Sequence, residues 1–542
     1  MMKTVGIGGP IGVGHRRLLN SLCRIFEVRF EEYAFKSKTN IDAWFFPEAT
    51  TDDLLFVAGA DQPCYAILRE EHLARCGEFP VVEFSRSLFL PPVLRGLQVR
   101  TNEAVEIRAL PKWLEQITIT AAKGGSPIWA TRENNGVFHH IVSFPIPEMN
   151  DGQALFQIFH EDLFLRLLPF LLFLSNLTRD KHWEPPPLQA CFMLDDPNLH
   201  WPTYGFVDFP KMVRHAKLHN YHVACATIPL DAWFVHRPTV SLFQEHRDYL
   251  SLLVHGNDHV GQELARSYSG NQASLVLRVA LWRIGELERN TGLDVSRVMA
   301  PPHGAFSEFM LGEMARAGFE AACVSSGSLR HYNSHAEWIE TVGMRPSEII
   351  SGLTIIPRFR LSAKCQNSIL IAALLHQPII PVGHHHDLSE GLDLLSKLSG
   401  FVNSLGAVQW KNMREISRSH FARKLEGRTL HVEMLTKRIA VHVPEGVNSI
   451  RIVRAWVKEP AAEPLEWRTL GENLQWTIQQ PEELITVEPG RVVEIVSNPA
   501  SSNLNGKDPP AGLHPWPFLR RQLSEARDRI APLRNWFFPR QI

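Results

Sequence analysis

The chain lacks a cysteine framework. Its seven cysteines, at positions 23, 64, 76, 191, 225, 323 and 365, are odd in number, scattered, and never form a C-x-x-C pair. Such a set gives no disulfide scaffold and no cysteine-based zinc knuckle, and it fits a reducing compartment. The start, Met1-Met2-Lys3-Thr4-Val5-Gly6, lacks the apolar run and cleavage site of a secretory signal. A membrane span is missing too. The best candidate, Leu163 to Leu177, is interrupted by Arg166 and Pro169 and is shorter than the roughly 20 apolar residues a span needs. It reads as a buried helix. These absences give the expectation of a cytoplasmic protein. Charge is nearly balanced, with a net of -1, so the electrostatic footprint of a nucleic-acid binder is absent.

At 542 residues the chain is too long for one core. Residues 1-150 alternate apolar runs with helical patterns and predict a small α/β domain. Thr4 to Ile7 reads as a strand, followed by Gly8-Gly9-Pro10-Ile11-Gly12-Val13-Gly14 and a helix from His15. The glycines form no clean G-x-G-x-x-G and no Walker lysine follows, so a tight strand-to-helix turn is expected rather than a nucleotide site. Leu54 to Val57 and Val81 to Phe84 read as further strands, and Gly124 to Ala130 with Val137 to Pro145 as a closing hairpin. Ala154 to Leu177 reads as one long apolar helix, and 151-187 as a connector ending in Pro185-Pro186-Pro187. Residues 188-425 alternate strand-like and helical patterns, including an amphipathic helix over Gln272 to Arg289. From 426-500 the period falls to two, which predicts a β-sandwich. Residues 501-542 hold a linker, Asn503 to Pro510, and a tail of aromatics and arginines broken by Pro532 and Pro539. That tail is a candidate for peripheral membrane or protein contact; the competing reading is a helix docked back on a domain.

Four polar clusters stand out in 188-425. They are Asp195-Asp196-Pro197-Asn198, His255-Gly256-Asn257-Asp258-His259, Pro301-Pro302-His303-Gly304 and His384-His385-His386-Asp387. Each follows a short apolar run: Cys191 to Leu194, Leu252 to Val254, Val298 to Met299, and Ile379 to Val382. An apolar run ending in ionisable residues describes a buried strand that delivers its C-terminal end to a site, and four of them describe a parallel barrel with its chemistry at one rim. Of two adjacent carboxylates, one can hold a metal while the other stays free as a base. His255 and His259 are spaced i, i+4, which on a first helical turn brings both imidazoles to one ion. The Pro-Pro-His-Gly turn can present the His303 N–H to an oxyanion. On an extended strand His384 and His386 share a face while His385 points away; either of the two is a candidate general acid. Trp201, Tyr204 and Trp233 follow strand ends and are candidates for stacking on sugar rings.

In order and residue type the four clusters resemble the blocks of polysaccharide deacetylases of the NodB-homology (carbohydrate esterase family 4-like) type, over roughly 188 to 390. The resemblance implies a distorted (β/α) barrel, a divalent metal such as Zn²⁺, and an acetylated sugar or polysaccharide as substrate. It implies Asp195 as base, with Asp196, His255 and His259 as metal ligands and a histidine of the final block, His384 or His386, as acid. His303 stands where the family has tyrosine, and Ala300 where it has the arginine that orients the base. Arg358 or Arg360 is a candidate for that cation. Two other functions remain beside metal-dependent deacetylation: a non-catalytic carbohydrate-binding or scaffold protein that keeps the metal, and a metal-dependent glycosidase or amidase on a related barrel.

Overall fold

The structure is a computed structural model that describes residues 2–32, 41–114, 117–160, 163–180, 182–456, 464–471, 477–479, 483–497 and 515–537. The linker expected at Asn503 to Pro510, and Phe538 and Pro539, lie outside those residues. The fold is mixed α/β. Contacts divide the chain into two compact units, Met1–Lys181 with Glu337–Arg345, and His182–Ala336 with Pro346–Ile542.

In the first unit Lys3–Ile7 lies between Val28–Glu32 and Ala43–Ala49, parallel to both, and Cys64–Leu68 and Val137–Val142 extend the parallel run. The meander Val137–Val142, Ser126–Asn134, Thr118–Lys123 then adds antiparallel strands, as the hairpin signal predicts. The first glycines do structural work. A Cβ on Gly8 would stand 2.4 Å from the Phe46 ring, so the strand can turn into Val13–Phe26 only without a side chain there. Two expectations fail here. Leu54 to Val57 lies in the helix Thr51–Gly59, not in a strand. The reason is a capping box: Thr50 caps the Asp53 N–H while the Asp53 carboxylate accepts from the Thr50 N–H. The single helix expected over Ala154 to Leu177 is two, Leu155–Ile158 and Phe164–Thr178. Buried Glu103 accepts the Leu165 and Arg166 amides at the start of the second, as an N-terminal carboxylate should.

The second unit carries a run of parallel strands in the spatial order Leu353–Pro357, Ala321–Val324, Val295–Ala300, Leu250–His255, Val223–Thr227, Phe192–Asp195, Pro381–Gly383, Phe359–Arg360. Leu353–Pro357 pairs with one end of the run, and Phe359–Arg360, two residues further along the same chain, pairs with the other. Alternate residues from these strands (Met193, Ala224, Ala226, Leu253, Val298, Cys323, Ile356) form one buried cluster. The helix expected over Gln272 to Arg289 is present as Gly270–Thr291, with Ser269 as its cap and Gly292 in the left-handed conformation at its end. Beyond residue 420, two four-stranded sheets enclose a second cluster that includes Val432, Val441, Leu465 and Ile495. The C-terminal helix, Pro515–Phe537, runs past Pro532 without a break. Among the described residues no helix is long and apolar enough to cross a membrane.

Candidate functional site

The strand Phe192–Asp195 is buried throughout. Met193 and Asp195 are two residues apart and so share a face; Met193 lies in the interior cluster, which puts the Asp195 carboxylate at the top of the same interior. There Arg358 Nη1 donates to Asp195 Oδ1 at 3.0 Å, with both side chains buried. Arg358 follows Leu353–Pro357 directly, so the strand at the far end of the run supplies this cation. Asp196 then leaves the strand with φ +83, a left-handed conformation rare outside glycine, and this turns its carboxylate away from that of Asp195.

The strand Leu250–His255 presents His255 at its end. Residues 256–259 form a loop rather than the helical turn that the i, i+4 spacing predicts, and His259 has φ +54. The buried Glu263 carboxylate collects the N–H groups of Asn257, Asp258 and His259 at 2.9, 2.7 and 3.3 Å. Three amides aimed at one carboxylate hold the loop curled, and Gly256 lets it pass, because a Cβ there would meet Glu263 and Pro302 at 2.5 Å. His259 returns to the rim over His255, with ring centroids 5.0 Å apart.

Asp196 Oδ1 lies 3.3 Å from His255 Nε2 and 3.0 Å from His259 Nε2. Ligand atoms of the three residues all fall within 4.8 Å of one another. His255 Nδ1 faces the Ala300 carbonyl at 2.9 Å; a carbonyl can only accept, so Nδ1 carries the proton. In the neutral ring Nε2 then turns a lone pair toward a carboxylate oxygen that is buried and has no hydrogen-bond partner of proper geometry. Two lone pairs facing each other at that distance call for a cation between them, and this donor set fits a divalent metal. Burial opposes charge on Asp196, but the two imidazoles hold its carboxyl well below the usual range. With no cation between them, burial opposes protonation of His255 but Asp195 and Asp196 together raise its pKa, so a proton there stands in for the ion.

The other two clusters reach the same rim. His303 has φ +58 and its ring lies 5.0 Å from that of His259; burial and the His259 charge push its pKa down. His384 is exposed and directly follows the strand Pro381–Gly383. His386 faces elsewhere. It packs on His385 and Phe206, and its donor atoms group with those of His385 and Asp528. The final histidines are therefore a strand end, His384, followed by a short 3-10 turn, His385–Leu388, rather than a continuous strand. Tyr204 is buried and donates to Asp528, so it cannot stack on a sugar; Trp201 and Trp233 are exposed.

The tail docks back on its own unit, the second of the two readings open to it, and covers this rim. The Pro515–Phe537 helix docks on it through charged residues. Arg521 forks onto buried Asp231 at 2.7–3.1 Å and reaches the Asp196 carbonyl at 3.2 Å. Glu525 pairs with His200 at 2.9 Å, and Arg520 donates to the His259 carbonyl at 2.9 Å. These partners lie 261 to 325 positions apart, beyond any local spacing rule.

No family model matches the chain, and no curated protein matches it. Among solved structures it is similar to Agd3, a novel carbohydrate deacetylase, at 10% identity and TM-score 0.47, covering 92% of this chain and 99% of that one. It is also similar to a putative polysaccharide deacetylase from Mycobacterium smegmatis (12% identity, TM-score 0.32) and a family 4 carbohydrate esterase from Streptomyces lividans in complex with acetate (11%, 0.26). These cover 43% and 42% of this chain and 90% and 91% of theirs.

Proposed function

We propose that the chain is a metal-dependent hydrolase that removes acyl groups, acetyl foremost, from a sugar or polysaccharide. The observation that carries this reading is that one strand end holds both a carboxylate fixed by a buried arginine and a carboxylate facing the ring nitrogens of two imidazoles. A Zn²⁺ or similar ion would be held by Asp196, His255 and His259. When bound, such an ion polarises an acyl carbonyl and acidifies water near neutral pH. Asp195, held in place by Arg358, takes the proton from the attacking water. The carbonyl carbon becomes tetrahedral, and the backbone N–H of His303 is the donor for its oxyanion. As the C–N or C–O bond breaks, His384 gives its proton to the departing nitrogen or oxygen. His386, turned toward His385 and Asp528, is the weaker candidate for that step.

The accompanying fold reading is a distorted (β/α) barrel of NodB-homology type, preceded by a small α/β domain and followed by a β-sandwich. The segment Leu353 to Arg360, which pairs with both ends of the strand run, supports it. The seven free cysteines fit the reducing, cytoplasmic setting. The reading of a non-catalytic binding protein rested on the missing family arginine, and Arg358 beside Asp195 takes away that support.

The test is acetate release from a panel of acetylated sugars by wild type and Asp195→Asn, with metal content measured on both. We expect metal in both, and a loss of rate of about 10³-fold in the variant, the scale of a lost general base. Metal without acetate release across the panel would overturn the reading in favour of a binding protein, and a cleaved sugar chain without acetate in favour of a glycosidase.

A further inference from the structure

The Pro515–Phe537 helix is amphipathic the wrong way round for a docked helix. Surface helices of globular proteins bury their apolar stripe. This one buries Arg521, Glu525 and Asp528 against the barrel rim. Its apolar residues Trp516, Leu519, Leu523 and Ile530 are 68%, 52%, 65% and 58% exposed. They are spaced three, four and seven apart, so at 3.6 residues per turn they form one outward stripe. Arg520 and Arg527, both exposed, lie along its flank. Phe518 lies about 100° or more round the helix from each of these four, beside the stripe rather than in it, and packs edge-on against the exposed Trp233 at 5.3 Å.

The buried ion pairs fix the orientation. Arg521 and Asp231 are both nearly fully buried, and either left alone would be an uncompensated charge in the interior. The helix therefore cannot roll over to bury its leucines without stranding those charges. The outward face needs another apolar medium, and its chemistry selects one. Tryptophan with leucine and isoleucine in the stripe, and arginine rather than glutamate at its edge, match the boundary between acyl chains and anionic headgroups. We infer that the outward stripe of the Pro515–Phe537 helix is a docking surface for an anionic membrane, to which the protein binds peripherally while the charged side of the helix stays on the barrel. This does not depend on the chemistry proposed for the metal cluster.

The test is co-sedimentation of the full-length protein with vesicles of phosphatidylcholine alone or with phosphatidylglycerol added. Binding is expected to the anionic vesicles and to fall with salt. Leu519→Asp with Leu523→Asp should weaken it about tenfold or more, since two apolar side chains no longer enter the bilayer, with thermal melting unchanged because both residues face solvent. Leu519→Ser with Leu523→Ser serves if the aspartates disturb the helix. Binding that is absent, indifferent to lipid charge, or equal in wild type and both variants overturns the inference. So does a wild-type dimer in light scattering that the same substitutions convert to monomer, which would make the stripe a self-association face. Binding of the stripe to soluble polysaccharide instead of vesicles overturns it as well.

Discussion

Two groups of two histidines and one aspartate lie on the same rim, and only one is built like a metal centre. In the first, Asp196 Oδ1 has imidazole nitrogens at 3.0 and 3.3 Å and no hydrogen bond, while the Ala300 carbonyl fixes the His255 tautomer with its lone pair facing inward. In the second, Asp528 is already neutralised. It accepts from the Tyr204 hydroxyl at 3.0 Å and pairs with Arg527 at 2.8 Å, and His385 stands 3.8 Å away. Both have three ligand atoms within 4.8 Å of one another. What separates them is the partner that the carboxylate lacks. A carboxylate already paired with arginine has no vacancy for a metal; one facing lone pairs calls for an ion.

The sharpest way to break this comparison is to neutralise each aspartate. Asp196→Asn should empty the chain of tightly held divalent metal and abolish acyl hydrolysis. Asp528→Asn should leave metal content as in wild type. Equal metal loss in the two variants, read by elemental analysis after gel filtration, would show that the second group binds as well. Within the histidine run the contrast is smaller. His384→Ala should lower the rate by about 10²-fold, as for a lost general acid, with metal retained, whereas His386→Ala should leave it within about twofold. The reverse order of effects would move the acid into the second group.

The strands that carry the site were legible because each is an apolar run cut off by ionisable residues, a pattern a buried parallel strand produces whatever follows it. The runs ending at Leu194, Val254, Met299 and Val382 all lie in strands of one sheet or directly before them. The i, i+4 spacing of His255 and His259 named two residues that do come together, but not through the helical turn it implied. A loop held by Glu263, not a helical turn, brings them together, and a carboxylate four residues past His259 has no periodic signature. Leu54 to Val57 was misread because its apolar run is as good a strand as a helix; only the Thr50-Thr51-Asp52-Asp53 cap distinguishes them. Arg358 could be guessed as a cation but not placed, since its partner is 163 positions away. The tail was the least legible. Its apolar and charged faces are evident at helical spacing, but which face docks depends on Asp231, His200 and Tyr204, and nothing in the tail itself names them.

That docking gives the two remaining, smaller effects. Arg521→Ala strands buried Asp231 and should cost about 3 kcal/mol, the scale of a broken buried pair. It should release the helix to limited proteolysis while Asp196, His255 and His259 keep their metal. The pH dependence should be bounded on both sides. Burial opposes the charges on Glu525 and Asp528, yet His200 and Arg529 around the first, and His385, Arg527 and Tyr204 around the second, hold each carboxyl down at about 2. Their contribution is present above the ordinary carboxylate values of 4.5 and 3.8 and is lost as the pH falls toward 2. His200 has the opposite sign. Burial lowers it, but Glu525 and the Asp231 carbonyl raise it above 6.5, so its contribution is whole below 6.5 and is lost as the pH rises through the raised value. The helix should therefore resist proteolysis best between about pH 4.5 and 6.5 and loosen on either side. His200→Asn should remove the alkaline limb and leave the acid one in place. An alkaline limb that survives His200→Asn would mean that a group other than the His200–Glu525 pair holds the helix at neutral pH.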